Sequence, residues 1–229
     1  MAFSPDGATL AASGDDGDIS LWDVATGRRT ATLHEGSPVY SVAFSPDGRT
    51  IAVGDDNGVI TLWGVATGRK AATLNNGNPV SSVAFSPNGA TLAAGDDNGD
   101  VGLWDTATRH RVASLNDGNP VSSVAFSPDG RVLAAGDSGG FVGLWDVASG
   151  RQIASIAEND GGANLAISPN GQSLAIGGSN GSIAFLQLDL SRLTSNYFIR
   201  LICGKVRHNM TRSQWAEFVP GLPYQRTCS

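Results

Sequence analysis

The chain has 229 residues, of which 41% are hydrophobic and 16% charged, with 30 glycines and a formal net charge of -6. No run approaches the roughly 20 apolar residues that a membrane span needs, and no basic segment followed by an apolar stretch opens the chain as in a secretory signal. These features exclude a membrane-spanning helix and set the expectation of a globular, cytoplasmic protein.

In chain order, the first landmark is Phe-Ser-Pro-Asp-Gly at Phe3, which returns at Phe44, at Phe85 with Asn88 for the acid, and at Phe126, every 41 residues. A degraded fifth copy begins at Ile167, and Leu-Trp follows the first four copies 19 residues later, at Trp22, Trp63, Trp104 and Trp145, with Leu186 in the fifth slot. Fixed markers at constant spacing identify stacked copies of one structural unit. Met1-Ala2-Phe3 falls where the next copy has Val42-Ala43-Phe44. The chain thus starts inside a strand, and the expectation is a truncated fragment, the C-terminal piece of a longer protein.

The second copy defines the unit. Val39–Phe44 alternates small polar and apolar residues and predicts a strand. Ser45-Pro46-Asp47-Gly48 predicts a type I turn, because proline presets φ at its second position. A strand over 50–54 follows, then a tight turn at Asp56-Asn57-Gly58, where Asn-Gly accepts positive φ. A third strand over 59–64, a turn at Ala66-Thr67-Gly68 and a fourth strand over 70–74 complete the copy. Four short antiparallel strands in about 40 residues make one propeller blade. In the third copy Arg109 replaces the glycine of the last turn, and His110 stands in the slot of Arg69, so that turn is expected to differ from its neighbours.

After Leu186 no fourth strand of repeat type is expected, so the first and last blades are incomplete and the arc can stay open. Residues 1–190 carry a net charge of -11, and residues 191–229 a net of +5. Leu193, Tyr197 and Leu201 recur at helical spacing, and Thr211 to Gln214 resembles a capping box before Trp215 and Phe218. The expectation is a basic helical tail over 191–229 that packs on the acidic repeats. Both cysteines, Cys203 and Cys228, lie in this tail. They pair only if their Cα atoms come within about 7 Å, and two thiols fall short of a zinc site.

The Trp-Asp pairs at Trp22-Asp23, Trp104-Asp105 and Trp145-Asp146, with the Ser-Pro-Asp-Gly turns, resemble the WD-repeat β-propellers over roughly residues 1–187. The resemblance implies an all-β propeller of five four-stranded blades followed by a short α-helical tail. Members of that family carry a histidine before the first strand, in a buried network with a hydroxyl, an aspartate and the tryptophan. Here the histidine slots hold Glu35, Asn76 and Asp117, and the second-strand hydroxyl slots hold Ala12, Val53, Ala94 and Ala135. The network is therefore expected to be dismantled, with the tryptophans acting as packing. In the tail, Cys203, Asn209-Met210-Thr211, Trp215, Pro223-Tyr224 and Arg226-Thr227-Cys228 resemble the terminal segment of large actinobacterial multidomain proteins. That resemblance implies a STAND-type NTPase or Ser/Thr kinase upstream of the repeats.

One recurring feature could carry chemistry: the acids Asp15, Asp16, Asp55, Asp56, Asp96, Asp97 and Asp137, which fall on the second turn of each copy. With Glu35 and Asp117 on the neighbouring loops they predict an acidic rim on one face. Calcium would suit clustered carboxylates, but the alternating spacing of a calcium loop is missing. Asp and Asn also favour tight turns for local hydrogen-bonding reasons. The expectation is no metal and no cofactor, and a basic protein or peptide partner at the rim. The basic residues of the tail are dispersed among apolar ones, so neither nucleic acid nor membrane is an expected partner. No nucleophile elbow, phosphate loop or zinc-protease motif is present. The reading is a noncatalytic protein-interaction scaffold, the partner-binding or regulatory region of a larger protein. Its alternatives are a truncated propeller remnant without independent activity and a propeller hydrolase built from loops.

Overall fold

The alternation of small and apolar residues, punctuated by turn residues at fixed offsets, leaves each segment long enough for one short strand and no more. The computed structural model describes residues 1–116, 118–157 and 164–188, and these form strands joined by turns and loops. The first blade comprises β1 (Ala2–Phe3), β2 (Thr9–Ser13), β3 (Asp18–Asp23) and β4 (Arg28–His34). The second has β5 (Val39–Phe44), β6 (Thr50–Asp55), β7 (Val59–Gly64) and β8 (Arg69–Asn75). The third contains β9 (Val80–Phe85), β10 (Thr91–Asp96), β11 (Asp100–Asp105) and β12 (Arg111–Asn116), and the fourth β13 (Val121–Phe126), β14 (Val132–Asp137), β15 (Phe141–Asp146) and β16 (Arg151–Ala157). The fifth shows β17 (Asn164–Ile167), β18 (Ser173–Gly177) and β19 (Ile183–Gln187). Each sheet is an antiparallel meander in chain order, four-stranded in blades one to four and three-stranded among the described residues of the fifth. The helical tail expected over 191–229, its cysteines and Asp117 lie outside the described residues.

The registers repeat from blade to blade. Leu10 pairs with Trp22, Ile51 with Trp63, Leu92 with Trp104 and Leu133 with Trp145. The outer strand shifts register next to each tryptophan, between Leu21/Trp22, Leu62/Trp63, Leu103/Trp104 and Leu144/Trp145. Such bulges increase the local twist of a strand pair.

The core consists of apolar layers between consecutive blades. Ile19 and Leu21 of the first blade pack with Ile51, Val53 and Trp63 of the second, and the equivalent residues fill the next three boundaries. Innermost strands of neighbouring blades are also tied by hydrogen bonds. The amide of Val83 donates to Ser41 Oγ at 3.0 Å, that of Val124 to Ser82 Oγ at 3.0 Å, and that of Leu165 to Ser123 Oγ at 3.1 Å. The small polar residues alternating along β5, β9 and β13 therefore act as latches between blades.

Two turns deserve separate account. At Gly58, φ is +75° and a Cβ would lie 2.7 Å from the carbonyl oxygen of Asn78, so conformation and close approach both demand glycine. At Arg109, φ is 63°, beside 59° at Gly68 and 66° at Gly27. The Arg109 amide donates to Asp105 O at 2.8 Å, as that of Gly68 does to Gly64 O. The expected departure of this turn is thus confined to the next strand, which begins at Arg111, one slot late. The hydrogen-bonded turn holds a non-glycine residue in the left-handed region.

Candidate functional site

Antiparallel order puts the turns after the second strands and the loops between blades on one face, and the Ser-Pro-Asp-Gly turns on the other. The acidic residues of the first face divide by their phase in the repeat. Asp55, Asp96 and Asp137, each the last residue of a second strand, are buried. Asp55 accepts from the amides of Asn57 and Val59 at 3.0 and 2.7 Å and from Ser37 Oγ at 2.5 Å. Asp96 accepts from the amides of Asn98 and Asp100 at 2.9 and 3.0 Å and from Asn76 Nδ2 at 2.9 Å. Asp137 accepts from the Phe141 amide and Asn119 Nδ2, both at 2.8 Å. These carboxylates staple each turn to the loop before the next blade and do not reach the surface.

The next position in the turn behaves differently. Asp15, Asp56 and Asp97 are equivalent by the 41-residue period, and all are exposed. Tyr40 donates its phenol to Asp56 at 2.8 Å, and Ser81 donates to Asp97 at 2.5 Å. The Tyr40 hydroxyl is pushed above its ordinary pKa, first by the bond to Asp56, then by partial burial and by the charges of Asp56, Asp97 and Asp15. Three blades therefore direct their carboxylates at one half-exposed aromatic ring. Asp16 is exposed too, but accepts from the Asp18 amide at 3.1 Å as a local turn bond. In the fourth blade the exposed slot is Ser138, so the acidic surface fades there.

Glu35 lies elsewhere, with its side chain only 5% exposed. It accepts from Thr61 Oγ1 at 2.7 Å, from Trp63 Nε1 at 2.9 Å and from Lys70 Nζ at 3.0 Å. The Lys70 ammonium also sits 5.2 Å from the Trp63 ring centroid, within cation–π range. The polar network expected to be dismantled is thus rebuilt in the second blade, with a carboxylate in the histidine slot and the hydroxyl supplied by the third strand. In the third blade the corresponding set is Asn76, Gly102, Trp104 and Arg111. There Asn76 Oδ1 and Trp104 Nε1 are buried without a hydrogen-bond partner, as is Trp145 Nε1 among the described residues of the fourth blade. The packing reading of the tryptophans holds for those two blades and fails for Trp63. The presence of Thr61 two residues before Trp63, where the next copies have glycine, was the sequence signal for the difference.

On the opposite face, a groove of about 500 Å³ opens between the second and third blades, lined by Pro46, Asp47, Leu62, Phe85, Asn88 and Thr106 among others. It holds one acid, Asp47, committed to its own turn through Ser45 and the Arg49 amide. No set of three or more His, Cys, Asp or Glu among the described residues is arranged to hold a metal ion. What remains for recognition is a surface, acidic and aromatic at Tyr40, on a rigid sheet scaffold.

Comparison with known proteins agrees with this architecture. A 43-residue stretch, 19% of the chain, is 46% identical to the mouse (Mus musculus) protein named Ribosome biogenesis protein BOP1 and spans 6% of that protein's length. The chain thus covers a small part of this relative, and the similarity amounts to about one repeat. The profile of the family described as IFT122 first beta-propeller matches residues 1–200. With its stacked antiparallel blades and in-phase Trp-Asp repeats, the chain belongs to that family of WD-type β-propellers.

Proposed function

We propose that the chain is a noncatalytic interaction scaffold that binds a basic segment of a protein partner at the surface formed by Tyr40, Asp15, Asp56 and Asp97. The observation carrying this reading is the convergence of three blades' exposed carboxylates on the Tyr40 ring, strongly enough to hold its proton. An arginine or lysine side chain laid there would gain charge attraction and a cation–π contact. WD-type propellers typically serve as protein-interaction platforms, and fold alone does not assign the partner. The tail's resemblance to actinobacterial multidomain proteins supports a place at the regulatory end of a larger chain bearing an NTPase or kinase domain.

Titration calorimetry with arginine- and lysine-rich peptides at low and high salt tests the surface. The expected result is binding that weakens steeply as salt rises, and weakens by about tenfold, near 1.4 kcal/mol, in Asp56→Asn/Asp97→Asn. Equal binding by the wild type and this variant would sink the assignment.

A second reading, a propeller remnant without independent activity, is favoured by the exposure of Trp22, Ile183 and Phe185 at the two ends of the array. A single cooperative thermal transition for the chain by itself counts against it.

A further inference from the structure

Four boundaries between blades are built to one plan. The third strand of each blade gives two aliphatic side chains to the blade that follows, and that blade answers with a tryptophan or leucine and two residues of its second strand. The givers are Ile19 and Leu21, Ile60 and Leu62, Val101 and Leu103, and Val142 and Leu144. The receivers are Ile51, Val53 and Trp63; Leu92, Ala94 and Trp104; Leu133, Ala135 and Trp145; and Leu174, Ile176 and Leu186.

The same plan predicts what the two ends of the array present. One repeat beyond Val142 and Leu144 stand Ile183 and Phe185, which are 66% and 75% exposed, whereas all eight givers before them are buried. One repeat before Trp63 stands Trp22, 37% exposed where Trp63 is 6%. Met1, in the slot of the buried Val42, is also open to solvent. One end therefore carries an unoccupied giving half and the other an unoccupied receiving half. No core cluster joins the first and fifth blades among the described residues.

We propose that copies of this chain associate head to tail, with Ile183 and Phe185 of one copy packing on Trp22 and Leu10 of the next. The occupant is specified by the internal boundaries: what covers an Ile-Phe pair on a third strand is the receiving face of a WD-type blade, and this chain displays such a face at its other end. An apolar pair this exposed on a sheet face is a site for association. Because giver and receiver differ, the contact is heterologous, so it closes into a ring if the rotation allows and otherwise grows into a longer array. Phe185 is the largest residue at its slot, where the earlier blades have leucine, and adds aromatic area to the contact with Trp22.

The test is sedimentation equilibrium of the full 229-residue chain from micromolar to millimolar concentration. The expected result is a mass that rises above the monomer with concentration. Phe185→Asp and Trp22→Asp should each weaken self-association by about tenfold or more. Mixed together, the two variants should form a one-to-one complex that goes no further, because the first retains an intact receiving face and the second an intact giving face. Ile183→Asp repeats the first arm should Phe185→Asp lower the melting temperature. A chain that stays monomeric throughout, or self-association that all three substitutions leave unchanged, would overturn the proposal. So would two monomeric, folded variants that fail to combine.

Discussion

Trp63 donates its indole N–H to Glu35 at 2.9 Å, a bond that joins the loop leaving the first blade to the third strand of the second. Glu35 also takes the Thr61 hydroxyl and the Lys70 ammonium, so one carboxylate satisfies three donors. Glu35→Ala would leave the Thr61 hydroxyl and the Trp63 N–H buried without an acceptor. Unpaired buried groups cost about 1–3 kcal/mol each, so a loss of about 2–3 kcal/mol is expected in urea unfolding. Asn76→Ala, at the same slot one repeat on, should cost at least about 1 kcal/mol less. There the tryptophan N–H is already unpaired, and Asp96 keeps the amides of Asn98 and Asp100. Gly102 blocks a simple repair of the third blade, since a Cβ there would lie 2.9 Å from Trp104 Nε1.

The fold was largely legible because each turn makes a demand that only a few residues meet. Pro46 at its fixed offset and Gly58 at positive φ locate the strand ends, and the 41-residue spacing carries that placement through the array. The candidate rim was legible only by half. Consecutive acids such as Asp55 and Asp56 look alike in sequence, yet the first turns inward to accept amides of its own turn and the second faces water. Strict phasing separates them: the first blade has Gly14 in the buried slot and Asp15 in the exposed one, and the fourth has Asp137 and Ser138. Glu35 was misplaced for a different reason. A carboxylate on a loop reads as a surface charge until its donors Thr61, Trp63 and Lys70, all more than 25 residues away, are brought to it.

Arg109 holds φ at 63° where the equivalent turns have glycine. The left-handed region costs an L-residue about 1–2 kcal/mol, and glycine gives back about 0.5–1 kcal/mol through its freer unfolded state. Arg109→Gly should therefore stabilise the protein by about 0.5–1 kcal/mol. Gly68→Arg should destabilise it by a similar amount. Paired denaturation curves check both, and a destabilised Arg109→Gly would mean that the guanidinium makes a compensating contact.

Acid should weaken the fold through carboxylates that lock turns. Asp23 is held below its ordinary value of 3.8 by the Thr26 hydroxyl and then the Thr26 amide. Asp47 is lowered first by Ser45 and then by the Arg49 amide, and Asp105 by the amide and then the hydroxyl of Thr108. A carboxylate with a depressed folded pKa contributes stability that is fully present above the unfolded value and is lost as pH falls through the folded one. The melting temperature should accordingly be insensitive to these groups at neutral pH and drop below about pH 4. Asp23→Asn/Asp47→Asn/Asp105→Asn should start lower at neutral pH and show a shallower acid decline, as measured by melts across pH 7 to about 3.

The serine latches predict how cohesion is distributed along the array. Ser41, Ser82 and Ser123 each accept an amide from the next inner strand, at Val83, Val124 and Leu165. Replacing any of them with alanine leaves an inner-strand N–H without that acceptor, at an expected cost of about 1 kcal/mol. Ser81→Ala is the control, because its hydroxyl bonds Asp97 at an exposed site and its loss should cost less than about 0.5 kcal/mol. In a stack where each unit contacts only its neighbours, stability is a sum of unit and boundary energies. Ser82→Ala therefore weakens the boundary between the third and fourth blades and leaves the others intact. Hydrogen exchange should show faster exchange at Val124 and its neighbours in β9 and β13, with β1 to β4 unchanged. Uniform acceleration across every blade would instead mean that the array opens as one unit.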